Sequence, residues 1–117
     1  MKFQSDIFQV GSEVQWEEVG QGVKRQILGH DDQILIVKVA FEKGSFGPIH
    51  DHFHSQATYV ESGQFEVEVD GVKKVLKKGD GFYIPPHTPH GAVCLEDGVL
   101  IDVFSPIRED FFTKDKM

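Results

Sequence analysis

Three histidines and a glutamine occupy every second position between residues 50 and 56 of the chain: His50, His52, His54 and Gln56. Alternate residues of an extended strand point to the same face, so these four side chains would project together. Imidazole is the commonest protein ligand of metal ions, and converging imidazoles suit a borderline transition metal. A further histidine, His90, closes the proline-rich stretch 84–91. The two segments together predict a metal site on a β scaffold.

Histidine-rich tracts also occur as tags or as loose metal-binding sequences. A tag would be contiguous and terminal, whereas these histidines are central and alternate with other residues. They are followed by the strand-like run 57–60. The pattern therefore favours a built site over a tag.

The composition sets bounds on the class of protein. With 117 residues the chain fits one domain that can bury a core without disulfides. Twelve basic residues against nineteen acidic ones give a net charge of −7, which argues against a nucleic-acid partner. Cys94 is the single cysteine, so neither an intrachain disulfide nor a thiolate cluster is possible, and we expect a buried thiol. No signal peptide and no stretch of membrane-spanning length is visible, so a cytoplasmic protein without a membrane partner is expected.

Short β-prone runs separated by turn signals recur along the chain, as in sandwiches and barrels. The runs are 23–28, 33–41, 57–60, 64–69, 72–76, 81–84, 91–95 and 99–104, and the turn signals include 61–63, 70–71 and 97–98. Asp70-Gly71 predicts a two-residue hairpin, because both residues tolerate positive φ. Helix signals are confined to a short turn in the tail, Arg108 to Lys114. The fold class is therefore all-β, with two antiparallel sheets rolled into a small barrel.

The two histidine segments resemble the two motifs of the cupin family. The first motif appears as Gly47-Pro48-Ile49-His50-Asp51-His52, followed by Gln56 in the usually acidic position and by Gly63. The second runs from Gly79 to Gly91 and includes His90. The resemblance implies a double-stranded β-helix, or jelly-roll barrel, formed by a single cupin domain over residues 1–117. It also implies one divalent transition metal (nickel, zinc, manganese, cobalt or iron) with these ligands: His50, His52, Gln56 and His90.

Gln56 departs from the commoner glutamate of the motif. Neutral imidazole and amide ligands leave the positive charge of the ion uncompensated, which favours polarising a sugar oxygen or holding a carboxylate. The set also lacks the two-histidine, one-carboxylate triad that suits oxygen-activating iron. His54 is expected to line the cavity or to hydrogen-bond a ligand, and His87 to lie exposed at the rim.

Four stretches are similar to the small pectin-degradation cupins: 16–20, 37–44, 81–86 and 98–110. The resemblance implies action on 4,5-unsaturated uronates, which are opened and ketonised to the linear 5-keto-4-deoxyuronate. It implies a functional set of Asp102, Phe104 and Arg108 near the C-terminus, and a homodimer. Asp102 would move protons, Arg108 would grip the uronate carboxylate, and Phe104 would pack against the sugar.

Other interpretations of the same residues stay open at this point. An aspartate near the end of a strand is often solvated, and an arginine near a C-terminus is often a surface charge. A metal-dependent dioxygenase acting on a small organic acid or thiol is one alternative function. A non-catalytic cupin that binds or senses a sugar acid is another.

Overall fold

A computed structural model of the protein describes residues 3–113. These residues form eight β-strands and one 3₁₀ helix, and the strands all pair antiparallel. The strands are β1 (Glu17–Gly20), β2 (Val23–Asp31), β3 (Ile34–Phe41), β4 (Phe46–His50), β5 (Ser55–Val69), β6 (Val72–Lys77), β7 (Gly81–Ile84) and β8 (His90–Ser105), and the 3₁₀ helix is Glu109–Phe112. The all-β prediction and the short helical turn after Arg108 are confirmed, and Lys114, the last residue of the predicted turn, lies outside the described residues.

The two long strands, β5 and β8, hold the barrel together. They pair along their whole length, and each contributes to both halves of the barrel. In one half, β3 adds to β8 and β7 adds to β5, with β2 and β1 further out. In the other half, β4 adds to β8 and β6 adds to β5.

The apolar core lies between these halves. Alternate residues of β3 face it, and Val37 and Leu35 are fully buried. Phe65 comes from the other half, and its ring meets that of Phe41 edge-on with the centroids 5.2 Å apart. Cys94 is buried with them, as expected of a small apolar residue. The barrel therefore closes around side chains of both halves.

Two of the predicted turns lie inside strands. The turn signals at 61–63 and 97–98 mark β-bulges at which β5 and β8 stay paired. Gly63 has a φ of +81°, and a Cβ there would lie 2.5 Å from the carbonyl oxygen of Asp97. The glycines are therefore present because the two backbones approach closely, and not because the chain reverses.

The hairpin at Asp70-Gly71 is confirmed, since both residues have positive φ and join β5 to β6. Strands β1 and β4 were not predicted. The residues of β4 are mostly exposed and include Pro48, so they carry no apolar alternation. Proline is tolerated there because β8 is the one strand within residues 3–113 with which β4 pairs.

Candidate metal centre and cavity

The alternating segment is not one strand, so the simple argument from strand parity is wrong. His50 ends β4, residues 51–54 form an irregular connection, and Gln56 is the second residue of β5. The side chains still converge, because β4 pairs with β8 so that His50 lies opposite His90. The irregular connection after β4 then places the side chain of His52 beside those of His50 and His90.

Three histidines of the predicted ligand set form one cluster. The nitrogen atoms of His50, His52 and His90 lie within 4.8 Å of one another. The ring centroids of His50 and His90 are 4.4 Å apart, and those of His52 and His90 are 4.8 Å apart. This arrangement positions the three imidazoles to bind one metal ion.

The backbone orients each of these rings in the same way. Nδ1 of His50 lies 2.8 Å from the carbonyl oxygen of Pro48, and Nδ1 of His90 lies 2.8 Å from that of Thr88. Nδ1 of His52 lies 3.2 Å from the carbonyl oxygen of residue 54. A proton on Nδ1 leaves the Nε2 lone pair available, which is the tautomer that a metal ligand needs.

Two observations show that a cation fits among these residues. Nε2 of His90 is buried and has no hydrogen-bond partner among residues 3–113. Nε2 of His52 lies 3.1 Å from Oε1 of Gln56. When Nδ1 of His52 carries the proton, Nε2 of His52 and Oε1 of Gln56 both present lone pairs to each other. These lone pairs repel unless a cation lies between the two atoms. Donor atoms bound to one ion at about 2.1 Å stand roughly 3 to 3.5 Å apart, which matches the observed separation.

The surroundings favour the neutral form of the His52 and His90 imidazoles. Burial, with a smaller contribution from the nearby histidines and Arg108, lowers the pKa of His90 to about 4, against a hydrogen bond with Thr88. Burial, followed by the charge of Arg108, also lowers the pKa of His52. Neutral imidazoles at neutral pH are ready to bind a metal without first losing a proton.

Gln56 is connected to Asp102 through a residue that the sequence analysis did not identify, Thr58. Nε2 of Gln56 donates to Oγ1 of Thr58 at 3.0 Å, and this hydroxyl donates to Oδ1 of Asp102 at 2.7 Å. Gln56 also donates weakly to the same carboxylate oxygen at 3.4 Å. Thr58 lies on the inner face of β5 opposite Asp102 of β8, so strand parity was a signal that could have found it.

Asp102 presents a partly free carboxylate. Both of its hydrogen bonds use Oδ1, and Oδ2 has none from residues 3–113. Burial raises the pKa of Asp102 to about 6, although the hydroxyl of Thr58 and the charge of Arg108 oppose this shift. Both protonation states are therefore accessible near neutral pH.

Phe104 and Arg108 lie beside this group. Phe104 is buried and its ring centroid is 5.8 Å from that of His52. The guanidinium of Arg108 lies over the rings of Phe104 and Phe111, at 5.0 and 4.4 Å. It also makes a bidentate ion pair with Asp110, at 3.0 Å from Nε and 2.8 Å from Nη2. Although burial alone would raise the pKa of Asp110, this pairing holds it below its ordinary value.

A cavity of about 600 Å³ opens over these residues. Its polar lining includes Arg25, His50, Gln56, His90, Asp102 and Arg108. The rest is largely apolar and includes Phe41, Leu100 and Phe104. Arg25 is the second residue that the sequence analysis missed, although an arginine between Val23 and Ile27 on a strand was a visible signal.

The other two histidines of this region lie outside the cluster. His87 is exposed with a φ of +62°, as expected of a rim residue. His54 is buried, stacks on Phe53 at 3.9 Å, and is not among the cavity-lining residues. Its Nδ1 has no hydrogen-bond partner within the described chain.

The barrel and its histidine cluster define a cupin. The family model described as "Cupin domain" matches residues 37–104, and the chain belongs to this family. Among curated proteins, the chain is 46% identical over 104 residues to the pectin degradation protein KdgF of Dickeya dadantii (strain 3937). The match covers 87% of this chain and 94% of that protein.

Two solved structures are also similar. An RmlC-like cupin from Shewanella frigidimarina NCIMB 400 shares 53% identity with a TM-score of 0.91, covering 92% of this chain and 97% of the other. The structure of KdgF from Halomonas sp. shares 43% identity with a TM-score of 0.88, covering 92% and 99%. No helix within residues 3–113 is long and apolar enough to cross a membrane.

Proposed function

We propose that the protein converts 4,5-unsaturated uronate monosaccharides to the linear 5-keto-4-deoxyuronate during the breakdown of pectin or alginate. One observation carries the proposal: three of the four candidate metal donors (His50, Gln56 and His90), the carboxylate of Asp102 and two arginines line the same cavity, and His52 lies against this donor set. The similarity to proteins named for pectin degradation supports it.

The reaction is an isomerisation that consists of proton transfers. Ring opening removes the proton of the anomeric hydroxyl, forms the carbonyl at C1 and breaks the bond between C1 and the ring oxygen, which takes up a proton and becomes the enol hydroxyl on C5. Ketonisation then removes the enol proton and adds one to C4. No atom is gained or lost, so no oxidant is needed. Asp102 is the group proposed to accept and return the proton, through Oδ2.

His50, His52, His90 and Gln56 would hold one divalent transition metal ion. When bound, such an ion supplies Lewis-acid polarisation of a sugar oxygen. Because all four donors are neutral, they would not offset its charge. Thr58 keeps the carbonyl oxygen of Gln56 directed at His52, since it takes the amide hydrogen of the same side chain.

Phe104 and Arg108 complete the proposed site. Phe104 offers an apolar surface for the sugar and excludes water from Asp102. Arg108 places a positive charge next to the same carboxylate, which favours the anionic form that accepts a proton.

The test follows the loss of the ultraviolet absorbance of unsaturated galacturonate in three samples: metal-loaded protein, metal-stripped protein and buffer. We expect loss faster than in buffer with the loaded protein only, restored by one or more of nickel, zinc, manganese, cobalt and iron. The rate should be the same without oxygen, which a dioxygenase would require. Equal rates in loaded protein and buffer would refute the proposal.

A further inference from the structure

Arg25 is an arginine on an otherwise apolar stretch of the inner barrel wall. It lies on β2 between Val23 and Ile27, and its register partner on β3 is the core residue Val39. Its side chain is 17% exposed and lines the same cavity as Asp102. A guanidinium in such a place lowers stability unless acceptors satisfy its N–H groups.

Only part of this guanidinium is satisfied by the described chain. Nε donates to Oε1 of Glu17 at 2.8 Å, which the β1–β2 register places directly opposite. The guanidinium carbon lies 3.9 Å from the centre of the Phe111 ring. Among residues 3–113, no acceptor hydrogen-bonds to the two terminal amino groups. The ion pair with Glu17 and the ring of Phe111 therefore fix the guanidinium plane of Arg25. The N–H groups of its two terminal amino groups stay available to a ligand.

Arg108 differs in this respect. Its Nε and Nη2 are both engaged by Asp110, in the two-point geometry that a carboxylate prefers. Asp110 therefore occupies the edge of Arg108 that Nε and Nη2 form, whereas neither terminal amino group of Arg25 has a hydrogen-bond partner among residues 3–113. Both guanidiniums lie over Phe111, so they serve one region of the cavity.

We propose that Arg25 binds the carboxylate of the sugar acid through the paired N–H groups of its outer edge. This inference rests on the uronate activity proposed above, and it assigns substrate recognition to a residue outside the predicted catalytic set. Glu17 and Phe111 act as supports that fix the orientation of the guanidinium before the substrate arrives. Pre-organisation of this kind reduces the entropy lost on binding.

The test compares Arg25→Gln with Lys24→Gln in metal-loaded protein. Lys24 is the neighbour on the same strand, faces outward over Trp16, and loses the same charge on substitution. We expect Arg25→Gln to raise KM for unsaturated galacturonate at least tenfold while kcat changes less than threefold. Lys24→Gln should leave KM and kcat within twofold of the wild-type values. Arg25→Lys should still show most of the rise in KM, because an ammonium group lacks the planar pair of N–H donors of a guanidinium.

A binding measurement separates this inference from the proposed reaction. Calorimetric titration with saturated galacturonate and with its neutral methyl ester requires no turnover. Arg25→Gln should weaken galacturonate binding at least tenfold and methyl ester binding less than twofold, relative to Lys24→Gln. Equal losses for the two ligands, no loss for either, or no galacturonate binding by the wild-type protein would overturn the role of Arg25. Absence of turnover alongside Arg25-dependent binding would refute the reaction alone.

Discussion

Both polar atoms of the Gln56 amide are engaged, and these contacts fix which way its nitrogen and its oxygen point. Its Nε2 is committed to Thr58 and Asp102, so its Oε1 faces His52. A glutamate at this position would remove the donor and bring a second negative charge towards Asp102. The neutral amide thus connects His52 to Asp102 without a repulsion between like charges.

Removing the hydroxyl of Thr58 should affect both groups. Thr58→Val keeps the shape of the side chain but leaves the amide of Gln56 and Oδ1 of Asp102 short of a partner. We expect metal affinity to fall about 10-fold to 100-fold, because supporting hydrogen bonds orient metal ligands. Stability should fall by about 1–3 kcal/mol. Calorimetric metal titration and urea unfolding measure the two effects.

Thr88→Val is the matched control. The hydroxyl of Thr88 makes one long bond of 3.4 Å to a neighbouring carbonyl, while its backbone oxygen, which contacts His90, is unchanged. Equal metal affinities for the two variants would contradict the role given to Thr58.

The residues of the site were predictable to different degrees. The three clustered histidines were predicted from spacing and motif, although the reason first given, one shared strand, is wrong. Asp102 and Phe104 were placed on one face by strand parity, and the structure puts both at the site. Strand parity could have marked Thr58 and Arg25 as inward-facing residues, but their nearness to Asp102 depends on which strands are neighbours, and local sequence does not give strand order.

At the scale of the elements, the bulges in β5 and β8 connect the two halves of the barrel. Turn-like residues at 61–63 and 97–98 predicted chain reversals there, since glycine signals a turn and a close backbone approach equally well. The two cases can be told apart only when it is known which strand pairs with the glycine-containing segment. The prediction therefore divided each long strand into two.

Gly63→Ala tests this role of the bulge against a matched control, Gly71→Ala. Both glycines have a φ of +81°, but a Cβ on Gly71 meets nothing within 4 Å. We expect Gly71→Ala to lower the unfolding free energy by about 1–2 kcal/mol, the cost of the left-handed conformation alone. Gly63→Ala should lower it by at least about 2 kcal/mol more, because the backbones must separate. Equal losses in urea unfolding would contradict the close-approach explanation.

At the scale of the whole molecule, the histidine cluster makes the stability of the metal-free protein depend on pH. The pKa of His90 is lowered to about 4 in the folded chain, whereas it is near 6.5 in an unfolded chain. The unfolded state therefore binds more protons below pH 6.5, and stability falls as the pH falls towards 4. We expect His90 to account for a loss on the order of 2 kcal/mol across this window, with solvent screening included.

Urea unfolding of metal-free protein at pH 7, 5.5 and 4.5 measures this effect, with His90→Gln as the comparison. Glutamine does not titrate, so the variant should show a smaller loss over the same range. Parallel pH profiles for the two proteins would show that His90 has an ordinary pKa. Addition of metal should raise the stability of the wild-type protein at pH 7, because the ion binds the folded state.

The assembly remains a prediction at this scale. The resemblance to pectin-degradation cupins implies a homodimer, and light scattering of the purified protein decides it. The cavity itself is formed by strands of one chain together with its 3₁₀ helix.

The Asp102→Asn variant tests most directly whether Asp102 transfers protons in a metal-dependent ring opening. The substituted amide would retain the contact with Thr58 but would have no proton-accepting oxygen of comparable basicity. With equal metal content verified for each protein, the initial rate on unsaturated galacturonate should fall at least 100-fold. Asp97→Asn is the same change at an exposed position of β8 that does not line the cavity, and this variant should keep the wild-type rate. A rate for Asp102→Asn within threefold of wild type would contradict the account.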